Sequence, residues 1–259
     1  MNRRIERFNE IIRLTKRTKH ASISELAREL EVSEMTIRRD LATLAEHNVV
    51  QLIPGGAILN PEAAGLYVES RYELPSEAAK HFNEKMRMAE RALTLVQPDD
   101  VITLDAGSTT GIVARLLPRD FPCTIICTSY NVLYEIQQKS RCRVILTGGY
   151  YYPETATFES PQGVELIRDS RANIAFISAR GVHPDLGVTT AYRHEVETKK
   201  ALMSSSKKKV LLLDSTKFDR VEAAYFAQLE EFDTIITDSN LGERCVTLVE
   251  SLGIELLLV

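Results

Sequence analysis

The sequence predicts a small α+β domain at the N-terminal end, followed by a larger α/β domain with a mostly parallel sheet. Three observations indicate this division. Apolar residues recur at helical spacing up to Leu44 and then alternate around a Pro-Gly-Gly turn. A charged segment with neither pattern follows, and after it short apolar runs alternate with helical stretches. The predicted parts are residues 1–59, a linker at 60–85, and residues 86–259.

The composition is typical of a globular chain with one large core and one small satellite domain. The chain has 259 residues, of which 44% are hydrophobic. Its longest apolar runs are far shorter than the ~20 residues of a membrane span, and MNRRIERFNE carries charges where a signal peptide is apolar. We therefore expect a cytoplasmic protein without a membrane partner. The four cysteines form no CxxC pair and have no histidine at ligand spacing, so we expect free thiols, no metal site and no cofactor.

Positive charge is concentrated near the N-terminus. Residues 1–60 contain ten Lys/Arg and eight Asp/Glu, a net charge of +2 in a chain whose total is −4. Most of these cations precede residue 20: Arg3, Arg4, Arg7, Arg13, Lys16, Arg17 and Lys19. A polyanion is one partner that such a segment fits, and a solvated helix face is the alternative.

The spacing of apolar residues predicts two helices at the start of the chain. Ile5, Phe8 and Ile12 fall on one face of a first helix. Ser22 and Glu25 have the spacing of a capping box, in which each residue satisfies a backbone N–H of the other. A second helix of barely two turns is therefore expected to begin after Ser22.

A third helix, capped by Ser33, is expected next. Its inward face consists of Ile37, Leu41 and Leu44. This orientation leaves four polar side chains on the outer face: Glu34, Thr36, Arg38 and Arg39. Two helices joined by a tight turn, the second presenting polar and guanidinium groups, form a helix-turn-helix that fits the major groove of DNA. The segment VVQLIPGGAIL then predicts a small hairpin wing.

The chemistry of the third helix suggests a role for each outward residue. Arg38 and Arg39 can pair with phosphates or bidentately with a guanine, and Thr36 can reach a base edge or a thymine methyl. The full candidate DNA-binding set is Ser33, Glu34, Thr36, Arg38 and Arg39. The alternative is that one arginine forms an ion pair within the domain, and its candidate partners are Asp40, Glu34 and Glu46.

These residues resemble a known family. The segment ISELARELEVSEMTIRRDLATL and the Gly-Gly wing are similar to the winged helix-turn-helix of the DeoR family of bacterial transcriptional regulators. The resemblance implies binding to double-stranded operator DNA through the helix that begins at Ser33. Gln51 and Leu52 stand where many members carry a basic residue, so a phosphate contact from the wing is not implied.

The motifs of the larger part follow its predicted strands directly. Ligands of open parallel sheets collect beyond the carboxyl ends of the strands, and DAGSTT, CTSYN, LTGG, SARG and LDSTKF all occupy such positions. DAGSTT combines Gly107 for close backbone approach with the hydroxyls of Ser108, Thr109 and Thr110 before a helix, which suits a phosphate. It matches neither a Walker loop nor a dinucleotide fingerprint. The alternative is a hydroxyl-rich helix cap without a ligand.

The resemblance extends through this part. DAGSTT, GVTTAYRHEVETKKALM and VLLLDSTKF are similar to the effector domain of the same family, which shares its architecture with ribose-5-phosphate isomerase and binds phosphorylated sugars. The implied effector-binding residues are Asp105, Gly107, Ser108, Thr109, Thr110, Glu195, Lys199 and Lys217. The chain departs from the family pattern at Thr128–Asn131 and at Asp219, so the contacts to the sugar end are not implied by it.

The side-chain chemistry is compatible with that site. Lys217 supplies a movable ammonium for a phosphate, while Asp105 and Glu195 can accept hydrogen bonds from hydroxyls. Two alternatives stay open. Glu195 could form an exposed i,i+4 pair with Lys199, and Lys217 could lie on the surface after its strand.

Two functions follow from the sequence. The favoured one is a transcriptional regulator, expected to be a repressor, that controls a sugar or nucleoside catabolic operon and responds to a phosphorylated sugar. The alternative is an isomerase-like enzyme with a regulatory N-terminal module, although the KGGG-like and DGAD-like strings of ribose-5-phosphate isomerases are missing. SARGVH and DSTKF resemble family members that respond to deoxyribose 5-phosphate, which is the effector we expect. HEVETKK is just as similar to members that respond to glycerol 3-phosphate, which is the alternative. One helix-turn-helix reads only a few base pairs, so a dimer or tetramer is expected.

Overall fold

The computed structural model describes residues 3–18, 20–46, 49–59 and 74–259. The helices in these ranges are α1 (Arg3–Thr18), α2 (Ile23–Glu29), α3 (Glu34–Glu46), α4 (Leu74–Ala79), α5 (Phe82–Leu93), α6 (Ser108–Leu116), α7 (Tyr130–Ile136), α8 (Pro161–Asp169), α9 (Glu195–Ser204) and α10 (Glu243–Ser251). The strands are β1 (Ala21–Ser22), β2 (Val50–Ile53), β3 (Gly56–Leu59), β4 (Val101–Leu104), β5 (Cys123–Cys127), β6 (Cys142–Leu146), β7 (Tyr150–Tyr152), β8 (Thr157–Glu159), β9 (Ala172–Ser178), β10 (Gly181–His183), β11 (Gly187–Thr190), β12 (Ser206–Leu212), β13 (Ala224–Ala227), β14 (Thr234–Thr237) and β15 (Glu255–Leu258). Over the described ranges, no helix combines the length and apolarity that crossing a bilayer requires.

The three N-terminal helices pack through the apolar faces that their spacing predicts. Phe8 and Ile12 of α1 are buried against the inward residues of α3, and Ile37 is fully buried. The capping box at the start of α2 is present, since Glu25 N donates to Ser22 Oγ and Ser22 N donates to the Glu25 carboxylate. The predicted helix-turn-helix is therefore confirmed.

The wing is a three-stranded antiparallel sheet in the order β1-β3-β2. The turn between β2 and β3 contains Gly55 at φ +81°, a conformation that favours glycine. Pairing of β1 with β3 was not predicted. It depends on Gly56, because a Cβ at that position would lie 2.3 Å from the carbonyl oxygen of Ala21.

The larger domain is built on a seven-stranded parallel sheet in the order β15-β14-β12-β9-β4-β5-β6. Successive residues of β9 enter different cores: Phe176 belongs to the cluster that includes α5, α6 and α7, and Ile177 to the one that includes α8, α9 and α10. Both faces of the sheet are thus covered by helices. The predicted α/β class with a mostly parallel sheet is confirmed.

Two small antiparallel sheets accompany the main one, in the order β10-β11-β13 and as the β7–β8 hairpin. The first lies beside the loop after β12, where Val182 forms a bridge with Phe218. Neither was predicted from the sequence, because strands of three or four residues carry too little pattern.

The segment interpreted as a linker is partly helical. Residues 60–73 lie outside the described residues, but α4 and the start of α5 fall within 74–85. The charged, small-residue composition of this segment concealed the two helices. Their position matters for the site, because α4 packs against α6.

The hydrophobic core of the N-terminal domain continues into the larger domain. Leu186 and Val221, which flank β11 and β13, are buried in the same cluster as Phe8 and Ile12. Helix α1 also contacts β13. The two domains are therefore joined by apolar packing as well as by the chain.

Candidate functional site

Helix α3 is held with its polar face outward. Ser33 caps it, accepting a hydrogen bond from Thr36 N at 3.2 Å, and the hydroxyls of the two residues lie 2.9 Å apart. On the opposite face of the helix, the buried side chains of Ile37, Leu41 and Leu44 anchor it to the core. The candidate residues Ser33, Glu34, Arg38 and Arg39 are exposed, and Thr36 is half-buried.

One of the two arginines contacts an acidic neighbour. Arg38 Nη2 lies 3.7 Å from the Glu34 carboxylate, and both side chains are more than half exposed. An exposed i,i+4 pair of this kind contributes little free energy, so it is readily exchanged for a phosphate or a base. Arg39 lies on the same solvent-facing surface.

Arg7 has a structural role that the sequence did not indicate. Its guanidinium donates to both carboxylate oxygens of Asp40, at 2.5 and 3.2 Å, and Asp40 is almost fully buried. This pair joins α1 to α3. Asp40 was one of three candidate partners of Arg38 or Arg39 under the alternative to DNA contact, and Arg7 was counted among the cations that a polyanion could bind. The structure instead uses the pair to fix the orientation of α3.

In the larger domain, three loops meet at the carboxyl edge of neighbouring strands. They follow β12, β9 and β4, which are adjacent in the sheet. The loop after β4 leads directly into α6, so the N-terminus of α6 points into the same edge. This is the position at which open α/β sheets bind ligands, and a helix N-terminus there favours an anion.

The three loops enclose an open cleft that contains three cations. They are Lys85 of α5, Arg180 after β9 and Lys217 after β12, and they face Ser108 and Thr109 of α6. Three positive side chains, two hydroxyls and a helix N-terminus are the groups that bind a phosphate. We call this space the cation cleft.

Gly107 brings the loop after β4 close to the neighbouring strand. A Cβ on Gly107 would lie 2.9 Å from Ser178 Oγ and 3.0 Å from Ser178 Cβ. The backbone of Gly107 is extended, so the requirement for glycine here is steric. Any side chain at this position would displace Ser178 or close the cleft.

The cation cleft is also lined by two carboxylates, Glu77 of α4 and Asp214 after β12, and Asp214 accepts hydrogen bonds from Thr216. Burial alone would raise the pKa of Glu77, but a hydrogen bond from Lys80 and the charges of Lys217 and Arg180 outweigh burial and lower the pKa to about 2. Lys85 Nζ donates to the main-chain carbonyl of Glu77 at 2.5 Å. Burial is the main cause that lowers the pKa of Lys85, and Asp214 opposes it.

Behind the cleft lies a buried ion pair. Lys199 Nζ donates to Asp105 Oδ2 at 2.5 Å and to the carbonyl of Ser178 at 3.0 Å. The same carboxylate oxygen accepts from Ser178 N and Oγ, both at 2.9 Å. Both charged side chains are at most 3% exposed. Lys199 therefore ties α9 to the loops after β4 and β9.

A second, smaller space is lined in part by the loop after β4. Asp105, Thr128, His194 and Glu195 are among the residues that line it. Glu195 accepts a hydrogen bond from Thr190. His194 stacks on Tyr152 with ring centroids 3.7 Å apart, and within the described part of the chain its Nε2 has no hydrogen-bond partner. We call this space the polyol cavity.

The structure thus divides the predicted effector residues into three groups. Those lining the cation cleft are Gly107, Ser108, Thr109 and Lys217. Those lining the polyol cavity are Asp105 and Glu195. Thr110 and Lys199 are buried, Thr110 with its hydroxyl donating to the carbonyl of Gly107 at 3.1 Å. The alternative pair of Glu195 with Lys199 is not the arrangement found, since each has another partner.

Sequence reasoning missed four residues of this site: Glu77, Lys85, Arg180 and His194. Arg180 belongs to SARG, which was placed after a strand, so its position could have been derived. Glu77 and Lys85 could not, because they precede the first strand of the domain and reach the cleft only through the packing of α4 and α5.

The geometry defines a class of protein. A winged helix-turn-helix with outward arginines is joined to an α/β domain with a cation-lined cleft, which is the arrangement of a ligand-responsive DNA-binding regulator. Two family models match the chain: the DeoR-like helix-turn-helix domain at residues 7–63 and the DeoR C terminal sensor domain at residues 80–239. The chain belongs to the DeoR family of transcriptional regulators.

Several characterised proteins are similar over nearly the whole chain. The deoxyribose operon repressor of Escherichia coli K12 is 33% identical, covering 98% of both chains. The regulator GolR of Listeria innocua is 32% identical over 96% of both, and the L-fucose operon activator of Haemophilus influenzae is 31% identical over 86% of this chain and 88% of its own. The sorbitol operon regulator SorC of Klebsiella pneumoniae, a solved structure, is 14% identical with a TM-score of 0.40, covering 96% of this chain and 99% of its own.

Proposed function

We propose that this regulator controls a sugar or nucleoside catabolic operon, as a repressor whose affinity for operator DNA changes when a phosphorylated sugar binds the α/β domain. The observation that carries the proposal is the cation cleft. Lys85, Arg180 and Lys217 surround the N-terminus of α6, where a phosphate finds positive charge and donors together.

The polyol cavity supplies the other half of the recognition. Glu195 and Asp105 line it and can accept hydrogen bonds, and His194 adds a ring nitrogen at the edge of an otherwise mostly apolar surface. Such groups distinguish hydroxyls by position and geometry. Since the loop after β4 borders both spaces, one sugar phosphate can place its phosphate on one side and its hydroxyls on the other. Deoxyribose 5-phosphate is the first candidate, in line with the deoxyribose operon repressor among the relatives.

At the DNA, we propose contacts from Ser33, Glu34, Thr36, Arg38 and Arg39. Their helix enters the major groove, where Arg38 and Arg39 contact phosphates or guanine edges. A single module of this size covers too few base pairs for specificity, so a dimer or tetramer is expected to bind repeated half-sites. A strictly monomeric species in sedimentation at micromolar concentration that still binds operator tightly would contradict the oligomer.

The test is operator affinity with and without deoxyribose 5-phosphate, for the parent and for Lys217→Ala. The parent should change its affinity on adding the sugar phosphate. The Lys217→Ala protein should bind operator as the parent does but lose the response, because Lys217 is not on the polar face of α3 and Glu77 keeps Lys80 and Arg180 as partners. A folded Lys217→Ala protein with a normal response would show that the site is misplaced. Conversion of ribose 5-phosphate by the protein would show that it is also an enzyme.

A further inference from the structure

The carboxylate of Glu77 lies where a phosphate is expected to bind. Its Oε2 is 3.3 Å from Lys217 Nζ and 3.9 Å from Arg180 Nη1, and its Oε1 accepts from Lys80 at 2.7 Å. Glu77 is 8% exposed, so these contacts are sheltered from water. Two cations of the cleft, Lys217 and Arg180, therefore already have an anionic partner, and that partner belongs to the chain.

The charge of this carboxylate excludes a second anion beside it. With a pKa near 2, Glu77 is ionised throughout the neutral range. A phosphate that shared Lys217 and Arg180 with the Glu77 carboxylate would place two negative charges within a few ångströms of each other. In a partly buried cleft, where water screens charges weakly, this arrangement is unfavourable. Phosphate and the Glu77 carboxylate are therefore expected to compete for the same cations.

We propose that Glu77 is an internal competitor for the effector: a phosphate entering the cation cleft displaces the Glu77 carboxylate from Lys217 and Arg180 and thereby detaches α4. This inference rests on the proposed function, because it takes the cleft to be the phosphate subsite. To that function it adds Glu77 as a residue that opposes phosphate binding, and α4 as a segment that responds to phosphate binding.

The displaced segment is connected to the DNA-binding domain in two ways. Helix α4 continues the chain from residues 60–73, which follow the wing. Arg180, one partner of Glu77, also lies 3.7 Å from Glu222 Oε1, and the adjacent Val221 is buried in the N-terminal core. A ligand that removes Glu77 from Arg180 therefore changes the contacts of Arg180 beside the packing between the two domains, which is the differential interaction that a regulator requires.

The first experiment measures the affinity of the full chain for inorganic phosphate by calorimetry. The Glu77→Gln protein keeps the size of the side chain and removes its charge. Its Kd for phosphate should be about tenfold lower than that of the parent, because a ligand that must displace an internal group binds only the displaced fraction of molecules. Glu90→Gln, on the exposed side of α5, is the matched control and should leave the Kd within about twofold.

The second experiment needs no variant. Amide hydrogen exchange at residues 74–79 of the parent is followed with and without inorganic phosphate. Detachment of α4 should accelerate exchange in this segment, whereas exchange in α3 and in the strands of the main sheet should stay the same. Sulfate, with similar geometry and charge, should have the same effect in a parallel sample.

The outcomes distinguish displacement of Glu77 from phosphate binding in the cation cleft. Equal phosphate affinity of the parent and Glu77→Gln, or unchanged or slower exchange at 74–79, overturns displacement and leaves the phosphate subsite standing. Failure of phosphate to bind either protein overturns the subsite, and displacement with it. Tighter binding by Glu77→Gln together with faster exchange in the parent supports the proposal. If the variant melts well below the parent, the exchange measurement on the parent decides alone.

Discussion

Replacing Lys199 with methionine should destabilise the α/β domain strongly. Methionine has a similar length but carries no charge, so Asp105 would remain buried with only Ser178 as a partner. Both members of the pair are at most 3% exposed, so water does not screen the loss. Removing one partner of a buried ion pair costs roughly 3–5 kcal/mol of unfolding free energy.

The assay is thermal unfolding of the full chain followed by circular dichroism. For a domain of this size, 1 kcal/mol corresponds to a shift of about 2–4 °C, so the midpoint should fall by about 6–20 °C. Lys200→Met is the matched control, since Lys200 is partly exposed and lies 3.9 Å from Glu197; it should cost less than about 1 kcal/mol. The double variant Asp105→Asn with Lys199→Met should recover part of the loss, because it no longer buries an unpaired charge.

One result would refute this reasoning. If Lys199→Met melts at the same temperature as Lys200→Met but no longer responds to the effector, then Lys199 is a ligand contact. The resemblance to the family would then have described its role better than the contacts in the structure do.

Three further predictions concern other parts of the chain. Arg39→Ala should weaken operator binding by about 1–3 kcal/mol if Arg39 reads a base, as measured by titration at fixed salt, and an unchanged Kd would remove Arg39 from the interface. Arg7→Ala should destabilise the N-terminal domain by roughly 3 kcal/mol, because it leaves the buried Asp40 carboxylate without its guanidinium; a melting midpoint like the parent's would contradict this. The lowered pKa of Glu77 contributes stability above pH 4.5 that is lost as the pH falls toward 2, by at most about 3 kcal/mol, so melting curves of the parent and Glu77→Gln should converge in acid.

The DNA-binding domain could be predicted well because its signals are local. The cap at Ser33, the capping box of α2 and the inward stripe of α3 all involve residues a few positions apart. Such spacing determines both the helix and the face that it buries. The Arg7–Asp40 pair is the exception, since its members are 33 positions apart and nothing in the sequence indicates that they meet.

The candidate effector site could be predicted only in part, because its contacts also join residues that are far apart in the sequence. The motifs follow strands as predicted, and loops that follow neighbouring parallel strands share one edge of the sheet. Their partners depend on which strands are neighbours and how helices pack against them. Lys199 and Asp105 are 94 positions apart, and Lys217 and Glu77 are 140 apart. Composition alone made the segment around Glu77 look like a linker.

Helix α9 shows how residues of one motif can serve different purposes. Glu195 and Lys199 are one helical turn apart, so both lie on the side of α9 that faces the loops. Glu195, in the first turn, reaches the polyol cavity, whereas Lys199, one turn deeper, reaches the carboxylate behind it. Because Asp105 lines the cavity and is also held by Lys199, the position of that acceptor depends on the buried lysine. Lys199 can therefore be essential for the effector response without touching the effector, and the melting temperature distinguishes such a positioning role from direct contact.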